Sequence, residues 1–141
     1  MMYRRLIICG MMLAACECFA QQFSGEEAWK PLLEHEGLRF QYIFYSKANT
    51  NDDGVVVMLH NLNEYCISYR FTIVFESPEG STSVDAEGTL ASLEMKTGDA
   101  EGLYWIPFDD GRPIGAIGLR NYAVDRINVS DQSSSTENGC P

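Results

Sequence analysis

Asn49, Asn51 and Asp53, spaced two apart and followed by Gly54, place oxygen donors as calcium-binding loops place them at their start. The bidentate carboxylate that closes such a loop should fall at position 60, where His60 stands instead. The same residues make a turn between two strands, ending in the turn dipeptide Asp53-Gly54. That reading needs no metal, and it is the one expected here. The two histidines, His35 and His60, lie far apart in the chain, and their spacing is not that of a zinc site.

A second chemistry-bearing stretch is TGDAEGLYWIPFDDG, which gathers Tyr104, Trp105 and Phe108 between Asp99, Glu101, Asp109 and Asp110. Rings beside carboxylates can stack on sugar faces or anchor a protein partner. In a strand, Tyr104 and Trp105 point to opposite faces, so one core cannot hold both. They are the expected ligand-stacking pair if the chain binds a glycan. For catalysis a nucleophile with a base, an opposed carboxylate pair or a metal would be required. No Gly-x-Ser-x-Gly and no Gly-x-Gly-x-x-Gly occurs, so the expectation is a non-enzyme without cofactor.

The cysteines depend on how the chain begins. Arg4 and Arg5 precede an apolar run from Leu6 to Ala15, too short to span a bilayer and arranged as a secretory signal peptide. Leu13-Ala14-Ala15-Cys16 resembles a bacterial lipobox, which makes the chain similar to a lipoprotein precursor. The resemblance implies cleavage before Cys16 and lipidation of that residue, with the membrane contacted only through the lipid. A second cut, after Ala20, fits Cys18-Phe19-Ala20 and would release a soluble protein starting at Gln21. Residues 1–20 are read as the signal region. In the oxidising compartment that export implies, Cys66 and Cys140 are free to form a disulfide. Cys66 equally suits a small buried strand position.

Elements that could position these residues follow from periodicity. Ser24 and Glu27 are spaced as a capping box, giving a short helical turn through Trp29 that Pro31 and Gly37 limit. Beyond it the period is two. Leu38, Phe40, Tyr42 and Phe44 share one face of LRFQYIFY, and Ile67, Tyr69, Phe71, Ile73 and Phe75 share one face of YCISYRFTIVFE. GVVVMLHN is a short, nearly continuous apolar strand. Further strands are expected over 83–90, 93–96, 103–108, 116–121 and 124–129. No long helical pattern interrupts them. The fold class is therefore all-β, a single antiparallel β-sandwich over 24–129, immunoglobulin-like in size. The polar segment 130–141 reads as a disordered tail.

The formal charge is −10, from 10 basic and 20 acidic residues. Losing residues 1–20 removes Arg4, Arg5 and Glu17, leaving eight basic and nineteen acidic groups, a charge of −11. Such a surface repels phosphate backbones, which excludes nucleic acid as a partner. The functional expectation is an exported, cell-envelope module, periplasmic or at the cell surface, that binds another envelope or extracellular protein. The alternative is a small carbohydrate-binding module.

Overall fold

The structure, a computed structural model, describes residues 28–49, 51–128 and 140. The signal region, Cys16, the capping box and most of the polar tail lie outside them. The described chain is all-β and forms two antiparallel sheets. Its strands are β1 (Lys30–His35), β2 (Leu38–Asn49), β3 (Asp52–Asn61), β4 (Ile67–Ser77), β5 (Gly80–Leu90), β6 (Met95–Thr97), β7 (Tyr104–Trp105) and β8 (Ala116–Arg126). Sheet A has the order β1-β2-β3, with β6 and β7 both pairing with the far side of β3. Sheet B has the order β5-β4-β8.

Two elements differ from the sequence expectation. Lys30–His35, which lies after the expected helical turn and carries no strand signal in the sequence, is an edge strand. Glu36 and Gly37 both adopt positive φ, 47° and 75°, which is the two-residue turn whose twist suits a hairpin. Pro31 is tolerated because β1 lies at a sheet edge, and the register slips between Pro31 and Leu33. The strands expected over 116–121 and 124–129 are one strand, β8. It carries a bulge where Asn121 and Tyr122 together oppose Phe71.

Inward-facing residues of both sheets make one core. Leu38, Phe40, Val55, Val57 and Leu59 of sheet A meet Ile67, Phe71, Ile73 and Phe75 of sheet B, all buried. Phe40 and Phe71 bridge the sheets edge to face, with ring centroids 5.3 Å apart. The pattern in β2 fades along its length. Leu38 and Phe40 are buried, Tyr42 is half-buried and Phe44 is exposed, and β1 pairs with β2 only as far as Tyr42.

One polar side chain is fully buried with the core. Asn61 ends β3, donates to the carbonyls of Tyr65 (2.9 Å) and Ala91 (2.8 Å), and accepts from the Asn63 N–H (3.0 Å). These bonds pin the connection by which the chain leaves sheet A for sheet B. Every hydrogen-bonding group of the amide has a use, so its burial costs little. On the sheet-B side of that connection, Cys66 is joined to Cys140 by a disulfide, with Cα atoms 5.7 Å apart.

Candidate recognition faces

Asp53, the carboxylate of the calcium-loop pattern, is used for structure. Asp53 accepts the N–H of Lys47 on one carboxylate oxygen (3.1 Å) and the N–H of Ile114 on the other (3.2 Å). Asp52 accepts the N–H of Gly111 (3.0 Å). The two aspartates of the β2–β3 turn thus hold the segment leading into β8 against sheet A. Asn49 pairs with Asp52 across the turn. Among the described residues, no group of three or more His, Cys, Asp or Glu is arranged to hold a metal.

The histidines lie on opposite faces of sheet A. His35 stands opposite core-facing Leu38 and packs edge-on against Tyr122 of β8, centroids 5.0 Å apart. His60 stands opposite outward-facing Arg39 and pairs with Met95. Asp110 is bound to Arg112, Nε to Oδ2 at 2.7 Å, and that guanidinium holds its carboxyl below the usual aspartate range. The Arg112 guanidinium also lies 4.6 Å from the centroid of the buried Phe108 ring.

Tyr104 and Trp105 fall on opposite faces. Trp105 pairs with core-facing Val55 and packs against Phe75, centroids 6.2 Å apart. Tyr104 pairs with outward-facing Val56, and its ring crosses Gly54 closely enough that a Cβ there would approach it to 3.1 Å. Both residues are half-buried. The aromatic residues most open to solvent are others: Phe44, Tyr45 and Tyr122.

Register then defines a surface that no sequence motif marks. Ile43, Tyr45, Val56, Met58, Met95 and Tyr104 all lie on the outer face of sheet A, with Arg39, Gln41, His60 and Thr97 beside Met58 and Met95. Tyr45 is 46% exposed and Met95 58%. The visible signal is the unbroken apolar run of β3, whose Val55, Val57 and Leu59 fill the core while Val56 and Met58 look outward. Strands apolar on both faces are those that are covered on both.

Sheet B is different. Outward from β4 and its neighbours come Ser68, Arg70, Thr72, Asp85, Glu87 and Thr89. Inside that sheet, burial raises the pKa of the Tyr69 hydroxyl, and the nearby carboxylates of Glu101 and Glu94 raise it further. Comparison with models of protein families, with curated proteins and with solved structures finds no match to this chain.

Proposed function

We propose that the mature chain is an exported, non-enzymatic recognition module of a bacterial cell envelope, tethered by lipid on Cys16, that docks a partner protein on the outer face of sheet A. The observation that carries the docking is the apolar strip from Ile43 to Met95, open to solvent at Tyr45 and Met95. Large apolar side chains gathered on the exposed face of a small domain mark an interaction site. The occupant is a different protein rather than a second copy, since two mature chains beginning at Cys16, each with eight basic and twenty acidic residues and a charge of −12, repel each other.

Export is supported by the charged-then-apolar leader and by a disulfide, the chemistry of an oxidising compartment. A non-enzymatic role is supported by the carboxylates of Asp52, Asp53 and Asp110, each engaged by backbone N–H groups or by Arg112. The alternative, a glycan stacked on Trp105, is disfavoured by the core-facing position of that indole.

The test is a photo-crosslinking amino acid at position 58, outside sheet A, with position 89, outside sheet B, as control, in the native host. A product from position 58 alone, lost with Val56→Lys, is expected. A product with the mass of two chains would replace the partner by a second copy. No product would remove the docking face. Intact mass of the membrane fraction tests the tether separately: acylated Cys16 is expected, and a soluble species beginning at Gln21 would remove it.

A further inference from the structure

A gap opens between the two sheets beside the start of β1. The end pair of β1 with β2 is Lys30 opposite Tyr42, while β2 itself runs on to Asn49. Phe44 pairs with buried Val55 and so faces inward, yet it is 38% exposed. Ile117 of β8, opposite buried Phe75, faces inward from the other sheet. Between the two lies an open groove of about 170 Å³, lined by Lys30, Tyr42, Phe44, Ile114 and Ile117.

The β8 side of the groove is held in place. The N–H of Ile114 donates to Asp53 at 3.2 Å, and that of Gly115 donates to the Glu76 carbonyl at 2.7 Å. The volume is close to the roughly 150 Å³ of a cavity that takes one benzene ring. The walls are aromatic and aliphatic, and one exposed cation, Lys30, stands at the rim. The groove therefore suits a single apolar ring with negative charge beside it.

We infer that the groove is the docking site of the chain's own segment 21–27, with the Phe23 ring seated between Phe44 and Ile117. Phe23 is the only large apolar side chain in QQFSGEE, and Glu26 and Glu27 supply the negative charge for Lys30. The segment is joined to the rim, since Ala28, the first described residue, lies two before Lys30. The capping-box spacing of Ser24 and Glu27 puts Phe23 just ahead of the cap, the position from which an apolar side chain packs back on residue 28. Reach is ample. Ala28 to Phe23 spans up to about 17 Å extended, against about 7 Å along β2 from Tyr42 to Phe44. A second copy would compete with a segment already attached, at the millimolar effective concentration of a short linker. Phe23 survives either cut of the leader, before Cys16 or after Ala20. Once seated, it leaves at most about 25 Å of chain to the proposed anchor at Cys16.

The test uses the mature, disulfide-bonded chain, labelled for NMR at isoleucine and methionine methyls and at phenylalanine rings. Nuclear Overhauser effects are expected from the Phe23 ring to the methyls of Ile114 and Ile117. Phe23→Ala should shift those methyls and the Phe44 ring, leave the Met58 methyl in place, and lower Tm by about 4 °C. Phe23→Leu should recover more than half of that loss, because an apolar group still fills the groove. A mixture of labelled and unlabelled chains then shows whose Phe23 is seated. Contacts within one chain are expected, and contacts between chains would overturn the inference in favour of an exchanged segment. Absence of any contact from Phe23 to Ile114 or Ile117, or shifts centred on Met58, would overturn it as well. The partner crosslink from position 58 is a separate readout, expected with Phe23→Ala as with the unaltered chain.

Discussion

Sheets A and B fill the core with the same kinds of side chain, yet their outer faces have little in common. Val56 and Met58 put apolar side chains on the outside of β3 as well as its inside, whereas Ser68, Arg70 and Thr72 keep the outside of β4 polar. Strand alternation is a report on the second face as much as the first. Where it is strict, water or a polar ligand lies outside. Where it lapses, something apolar is meant to cover the strand. The two outer faces therefore offer different physics: apolar area on one, polar groups on the other.

The largest expected effect separates the sheets by their covalent closure. Cys66→Ser should cost about 4 kcal/mol, from reopening a loop of 74 residues. Urea unfolding of oxidised wild type against the variant measures it. A loss under about 1 kcal/mol would mean that β4 and β8 hold sheet B without the staple. The buried polar residues come next. Asn61→Ala should cost about 3 kcal/mol, since two carbonyls and an N–H lose their partner in a buried site. Thr72→Val should cost about 1 kcal/mol, because Asp85 and Asn121 are exposed and turn to water instead. Equal losses would erase the contrast between a buried structural amide and a hydroxyl on the outer face of sheet B.

A pH arm sharpens the comparison further. Tyr69 holds its proton more tightly folded than unfolded, so its share of stability is intact below its unfolded pKa of about 10. That share is lost as pH rises from there through the raised folded value. Tyr69→Phe should flatten the alkaline limb of the stability profile and leave neutral pH unchanged to within the packing effect of one hydroxyl. The smallest effects belong to the outer faces themselves. Met58→Lys and Arg70→Ala should each move stability by less than about 0.5 kcal/mol. Only Met58→Lys should reduce binding of a hydrophobic dye such as ANS, which would locate the apolar surface on sheet A.

Much of the architecture was legible in β2, β3 and β4, where long alternating or continuous runs leave one arrangement. β1 was hidden because Pro31 and the capping residues upstream argue for a helix end. The Glu36-Gly37 turn puts a glutamate at positive φ, a position usually filled by Asn, Asp or Gly. β8 was read as two strands for a definite reason. Its inward residues are odd-numbered at Ile117 and Leu119 and even-numbered at Val124. One inserted residue changes the parity, so a search at period two breaks there.

The outer faces were the least legible. Ile43, Met58 and Met95 come from three strands, and Thr72, Asp85 and Asn121 from three others. Only register brings them together, and register is not written in any local window. The partnership of Cys66 with Cys140 is non-local in the same way. By contrast Tyr104 and Trp105, conspicuous in sequence, divide between outer face and core as alternation requires.

The disulfide also divides the molecule mechanically. Residues 66 to 140 form a closed ring that contains β4 through β8, while β1 to β3 lie outside it. A pull on the two ends of the chain passes from Cys140 directly to Cys66 and never loads the strands within the ring. Sheet B, with the bulge in β8, would keep its shape under tension. The β1–β2 hairpin and β3 would bear the whole force, and with them the apolar face on which the partner is proposed to sit.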